Sequence, residues 1–248
     1  MLALHEVSHH YPGGVVALEQ VSLALHPGEF VAVVGPSGCG KSTLLSLLAG
    51  LTAPVAGRVS SVVRSPGELG MVFQDPTLMP WASVAENIAL PLRLMRRPAG
   101  EVTARVVEAV RQVGLAGFEA SLPAELSGGM RMRVAIARAL VTRPRLLLMD
   151  EPFAALDELT RERMNEQLLA LWRELGITCL FVTHSLYEAV FLATRVLVMA
   201  PRPGRVIAEV AVPAGYPRGD AWRSDAAFAA LRGELAAQLR HSAEPASP

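Results

Sequence analysis

The chain has 248 residues, of which 51% are hydrophobic and 19% charged, and its 23 basic side chains are matched by 23 acidic ones. That composition excludes a disordered or fibrous chain and is enough for a sizeable core in one large or two small domains. A formal charge of zero argues against a broad nucleic-acid surface, whose affinity comes from neutralising phosphates, while leaving room for a local basic patch.

Cys39 and Cys179 lie far apart without metal-ligand spacing and read as reduced thiols of a cytosolic protein. The opening MLALHEVSHH lacks a basic start followed by an apolar run, so no signal peptide is expected. Mean hydropathy is high at +0.34, yet a spanning helix needs about 20 apolar residues. The uncharged stretch from Ser42 to Gly57 is broken by Gly50, Pro54 and Gly57 and reads as a buried helix followed by a loop. Contact with a membrane is therefore expected through a partner.

In chain order, VSLAL from Val21 and FVAVV from Phe30 read as strands bounded by Gly or Pro. A helix starts at Lys41, and a mainly helical insertion runs from about Pro76 to Gly117, including EVTARVVEAVRQVGL. Another helix starts after Ser127, and ELTRERMNEQLLALWRELG is a helix ending on Gly176 as its C-cap. RLLLMD from Arg145, ITCLFVTH from Ile177 and RVLVMA from Arg195 are near-continuous apolar runs, as strands buried on both faces of a parallel sheet are. Strands alternating with helices predict an α/β domain. The closing HSAEPASP is polar and proline-bearing and reads as a loose tail.

Gly35-Pro36-Ser37-Gly38-Cys39-Gly40-Lys41-Ser42-Thr43 follows the strand FVAVV and opens a helix, which is G-x-x-x-x-G-K-S in the context that motif requires. Its glycines let backbone N–H groups converge on a phosphate, and the helix N-terminus adds partial positive charge. Lys41 is expected to reach the β- and γ-phosphates, Ser42 to ligate Mg²⁺, and Thr43 to be a further phosphate donor. A plain glycine-rich turn needs neither a lysine nor a hydroxyl at these positions. Cys39 reads as a small spacer.

The apolar strand LLLM ends in Asp150 and Glu151. Such a strand delivers Asp150 to its C-terminal edge to hold Mg²⁺, with Glu151 beside it to orient or deprotonate an attacking water. Leu126-Ser127-Gly128-Gly129-Met130-Arg131 places an N-cap serine and two exposed glycines before a long helix, either an ordinary cap or a second anion-binding helix start. One nucleotide cannot easily use both starts on one chain, so the second is expected to serve another molecule.

With these motifs the chain resembles the ABC ATPase family over nearly all of its length. The resemblance implies a P-loop NTPase cassette: a mixed sheet core with a helical subdomain inserted between the phosphate loop and the signature helix. Its expected ranges are a core over about 1–75 and 144–215, a helical subdomain over about 76–143, a C-terminal helix over about 220–240 and a tail over 241–248. Tyr11, 24 positions before Gly35, matches the aromatic that stacks on adenine. Gln74 matches the glutamine linking the γ-phosphate and its metal to the helical subdomain, Ala155-Leu156-Asp157 the loop that meets the opposing subunit, and His184 the switch histidine. Each taken alone has a plainer reading, as packing, a solvated side chain or a loop cap. Met130 and Met132 depart from the commoner glutamines of the family, while the serine and glycines remain.

A chromosome or repair ATPase of this class would need a long coiled coil where only 82 residues separate Thr43 from Leu126. A translation-type member would carry two cassettes and an exporter usually its own spanning helices. The resemblance therefore implies a detached importer subunit that hydrolyses ATP with Mg²⁺ as a homodimer. It would lie peripherally on the cytoplasmic side of the inner membrane, against a permease served by a solute-binding protein, with no nucleic-acid partner. EPFAALDELTR, LSGGMR and PRPGRV resemble the nitrate, sulfonate and taurine importer group, which also includes thiamine-precursor uptake ATPases; a non-transport regulatory ATPase is the other alternative. Leu78-Met79-Pro80-Trp81 is expected to dock a permease helix, or else to close the subdomain's own core, and Arg93, Arg96 and Arg97 read as a solvated face or a lipid contact.

Overall fold

The computed structural model describes residues 2–60, 63, 65–201 and 203–243. Strands β1 (Leu2–His10), β2 (Val16–Leu25) and β3 (Phe30–Val34) precede helix α1 (Lys41–Leu48), strands β4 (Ala56–Ser60) and β5 (Leu69–Val72), and helices α2 (Val84–Leu94) and α3 (Ala99–Gln112). Helix α4 (Gly128–Leu140), strand β6 (Leu146–Asp150), helix α5 (Glu158–Leu175), strand β7 (Thr178–Val182) and helix α6 (Leu186–Leu192) follow. Strands β8 (Arg195–Ala200) and β9 (Arg205–Ala211) and helices α7 (Asp220–Arg223) and α8 (Ala226–Ala243) complete the order. The chain divides into two compact units, residues 1–62 with 178–248, and residues 63–177.

In the first unit β1 pairs antiparallel with both β2 and β4. A mixed sheet runs in the order β7-β3-β8-β9, parallel at β3–β7 and β3–β8 and antiparallel at β8–β9. Every residue of β3 is buried, as its uninterrupted FVAVV predicts for a strand covered on both faces. Glu29 and Arg195 form an ion pair at 3.0 Å beside the starts of β3 and β8.

In the second unit β5 and β6 pair parallel, Leu69 opposite Leu146 and Val72 opposite Met149. Helix α2 begins with a reciprocal capping box of Ser83 and Glu86. Its buried Asn87 amide donates to the carbonyls of Met79, Ala82 and Ser83 and accepts from the Met79 N–H, so the turn before the helix is fixed by a satisfied polar side chain. Asp157 caps α5, which ends on Gly176 at φ +61.

Several boundaries differ from the sequence reading. β2 starts at Val16, ahead of Val21, and α3 stops at Gln112, two residues before Gly114 at φ +66. The stretch read as a helix over about 220–240 is two helices, α7 and α8, broken at Ser224–Asp225. α8 continues to Ala243, and the rest of the expected tail lies outside the described residues. No described helix is long and apolar enough to cross a membrane.

Candidate nucleotide site

Parallel pairing decides where the candidate residues emerge. In the first unit Val33 of β3 lies opposite Val182 of β7, and the Thr183 N–H donates to the Val33 carbonyl at 3.1 Å. Gly35 and His184 therefore leave the same edge of adjacent parallel strands, the edge at which open α/β sheets bind ligands. In the second unit Val72 lies opposite Met149, so Gln74 also leaves the same strand edge as Asp150 and Glu151.

The loop 35–43 wraps the N-terminus of α1. Gly40 is the N-cap at φ +93, and a Cβ there would meet the Ala17 carbonyl at 2.7 Å, so only glycine fits. The Lys41 ammonium is held under the loop, donating to the carbonyls of Gly35 at 2.9 Å and Pro36 at 3.1 Å, with only 7% of the residue exposed. An incoming phosphate would meet a cation already positioned at the helix start. Ser42 is exposed and Thr43 buried. The Thr43 hydroxyl shares a hydrogen bond of 3.0 Å with the Tyr11 hydroxyl. Tyr11 is 45% exposed, with its ring packed edge-on against His9. Tyr11 is thus tied to the phosphate loop while its ring keeps an accessible face.

His184 is exposed at the turn between β7 and α6. Burial pushes the other thiol, Cys179 of β7, far above the usual range, so it serves as a core side chain.

In the second unit, Ser127 caps α4 by accepting the Met130 N–H at 3.2 Å, and both Ser127 and Gly128 are exposed. The two glycines have different tasks. A Cβ on Gly128 would meet nothing closer than 3.9 Å, whereas one on Gly129 would press against Thr160 at 3.0 Å. Gly129 allows α4 to approach α5, and Gly128 leaves backbone open to a ligand. Met132 is buried, which accounts for an apolar side chain there. In the loop 155–157, Leu156 is buried while Ala155 and Asp157 are exposed, and hydrogen bonds from Thr160 hold the Asp157 carboxyl below its usual range.

Asp150 ends β6 part-buried. Glu151 follows at φ +43, a left-handed conformation that is uncommon for a side chain of this kind and costs about 1–3 kcal/mol. Gln74 is exposed. Ser42 in the first unit offers a hydroxyl oxygen, and Gln74 and Asp150 in the second offer amide and carboxylate oxygens; each is a hard donor of the type Mg²⁺ takes.

Sequence reasoning missed residues that support the loop. A Cβ on Gly204 would fall 2.2 Å from the Cys39 carbonyl oxygen, and the Gly204 N–H donates to Ala17 at 3.1 Å. The P-R-P-G turn was the available signal, but nothing local reveals that it abuts the phosphate loop. In the 78–81 group, Trp81 is 77% exposed and so lies outside the subdomain core.

Known proteins resemble this chain in sequence and in fold. Residues 18–154 match the family model described as ABC transporter. The taurine import ATP-binding protein TauB of Burkholderia thailandensis is 46% identical over 98% of this chain and 98% of its own length. A dimeric post-hydrolysis state of the ATP-binding cassette MJ0796, bound to ADP and phosphate, is 33% identical with a TM-score of 0.76, covering 87% of this chain and 100% of that one. CbiO1 of Clostridium perfringens, part of the cbiONQ ABC transporter complex, is 28% identical with a TM-score of 0.79, covering 97% of each chain. This chain belongs to the ABC transporter family, as one of its ATP-binding cassettes.

Proposed function

We propose that this chain is the ATP-hydrolysing subunit of an ABC importer, working as a dimer bound peripherally to the cytoplasmic face of its permease, with taurine or a similar small sulfonate as the transported solute. The observation that carries the chemistry is the strand–loop–helix at 30–48, with the Lys41 ammonium set against the Gly35 and Pro36 carbonyls at the start of α1. Import and the sulfonate class are supported by the relative named as a taurine import protein, matched over 98% of both chains.

In this reading residues Gly35 to Thr43 wrap the phosphates, Lys41 neutralises the β- and γ-phosphates, and Tyr11 lies against adenine. Ser127, Gly128 and Gly129 of the second protomer close over the same ATP, making two composite sites per dimer. Ser42, Asp150 and Gln74 would hold Mg²⁺, which would offset charge on the phosphate oxygens. Glu151 takes the proton from a water attacking the γ-phosphorus, and the bond to the β-phosphate oxygen breaks as ADP leaves. Gln74 and His184 sense the γ-phosphate, and Gln74 relays its loss towards the helices of the second unit. Closure of the dimer moves the permease, and hydrolysis reopens it. A solute-binding protein selects the solute, which this chain never touches.

The test is to co-express the chain with its permease and binding protein and measure ATP-dependent uptake of labelled taurine into vesicles. Taurine uptake that is lost with Lys41→Ala is expected. A permease complex that forms and hydrolyses ATP but carries no sulfonate would overturn the solute assignment alone, whereas a chain that never recovers with the membrane fraction would overturn the transport role.

A further inference from the structure

The turn between β7 and α6 holds a hydrogen-bond circuit that none of the roles above uses. Thr183 is 1% exposed and Glu188 is 3% exposed. The Thr183 hydroxyl donates to the Glu188 carboxylate and accepts the Ser185 N–H at 3.0 Å. Ser185 is the N-cap of α6, and its hydroxyl accepts the Glu188 N–H at 3.3 Å.

An ordinary capping box has the glutamate three residues into the helix reaching straight back to the N-cap N–H, as Glu86 does to Ser83 at 2.8 Å. Around α6 the equivalent glutamate, Glu188, reaches two residues further, past the N-cap to Thr183, and inserts the Thr183 hydroxyl between itself and the N-cap. The enlarged ring closes around residue 184. Thr183 is also pinned to β3 through its N–H, so the residues on both sides of His184 are fixed. Capping alone does not require this, because the Ser83–Glu86 box does its work with an exposed carboxylate. A buried carboxylate costs free energy unless it is well hydrogen-bonded, and here its burial serves to fix the turn. The far end of α6 is held as well. Arg218 donates to the carbonyls of Val190, Phe191 and Ala193, and the Tyr216 hydroxyl donates to that of Leu192.

We infer that Thr183 and Glu188 are positioning residues for His184: their buried relay fixes the backbone on both sides of the histidine, so that an exposed imidazole is presented at one place on the strand edge. This inference rests on the role proposed for His184. It predicts a defect in turnover with little effect on nucleotide binding, because the relay touches the orientation of one side chain and leaves the phosphate loop alone.

The full-length chain, assayed with Mg-ATP, supplies the test. Thr183→Val keeps the shape and removes the hydroxyl. Its kcat is expected to fall about tenfold or more, the scale of loss from small misplacements of a reacting group, with KM changed less than about threefold. Thr183→Ser restores the hydroxyl and should recover most of kcat. If Thr183→Val does not fold, Thr183→Ala removes the same hydroxyl with less bulk and carries the same expectation. An unchanged kcat in the hydroxyl-free variant, a loss confined to KM, or a serine variant as slow as valine would each overturn the inference. His184→Ala separates the two layers. If it turns over normally, the role of His184 falls and the inference with it; if it is slow while Thr183→Val is fast, only the positioning role falls.

Discussion

Glu151 combines a left-handed backbone with a position directly after the last residue of β6. The conformation is unfavourable for glutamate, and strain of this kind persists where the surroundings enforce it, commonly at reacting centres. Glu151→Gln keeps the size and the hydrogen-bonding edge while removing the base. Turnover should fall by roughly 10²–10⁴, the range for loss of a general base, with ATP binding retained and the ATP-bound dimer prolonged. Single-turnover hydrolysis and a nucleotide-binding titration on the purified variant check this, and near-normal hydrolysis would remove Glu151 from the role. Lys41 and Glu151 could both be proposed from sequence because their motifs lie within a few consecutive residues. The hydrogen bond between Tyr11 and Thr43, 32 positions apart, was not.

Between elements, the turn from β8 to β9 supports the phosphate loop through a glycine. With a Cβ 2.2 Å from the Cys39 carbonyl, Gly204→Ala must push either the turn or the loop aside. A cost of about 1–3 kcal/mol is expected, as for other overpacked sites, together with weaker ATP binding. Thermal unfolding combined with an ATP titration reads both, and a variant matching the parent in each would show that the turn yields freely. The Glu29–Arg195 pair beside β3 and β8 offers a pH test. Burial pushes the Glu29 carboxyl up, but the Arg195 hydrogen bond, the His26 N–H and the Arg195 charge outweigh it, leaving the group below its ordinary 4.5. A carboxylate depressed on folding stabilises the native state fully above its unfolded value and progressively less as pH falls through its folded value. The Tm gap between the parent and Glu29→Gln should therefore be widest near neutrality and close on the acid side of 4.5. A gap that stays constant with pH would mean that packing, and not charge, holds this corner.

At the scale of the whole molecule, the proposed composite sites make a prediction that a cis arrangement cannot match. A chain with Lys41→Ala and a chain with Ser127→Arg should each form nearly inactive homodimers. Mixed, one composite site has an intact Lys41 facing an intact Ser127, and part of the ATPase activity should return. A fused dimer with Lys41→Ala in one half controls for cooperativity; if it is active and the mixture is not, the sandwich is refuted. Trp81→Ala with Leu78→Ala should keep ATP binding in solution while releasing the chain from its permease, and unfolding of that variant would place these side chains in the core. Local backbone confined to a short contiguous run, such as the strand–loop–helix at 30–48, the end of β6 at Asp150 and the Ser127-capped helix start, could be read directly, because residue types at fixed spacing specify it. The buried strands β3, β6, β7 and β8 were legible for the same reason, as unbroken apolar runs. β1, β4, β5 and β9 were not read as strands: β1 is interrupted by register shifts, β4 is short and mostly exposed, β5 has only four residues, and β9 (RVIAEVA) shows no apolar–polar alternation, with Ile207 and Ala211 on its exposed face. α6 has only seven residues, too few for a helical period to register. Folding alone could reveal which side chains at distant positions meet, as at Gly204 and Cys39 or Gly129 and Thr160. It also decided that Trp81 faces outward, since an apolar residue in an apolar segment looks the same in sequence whether a core or a partner is to cover it.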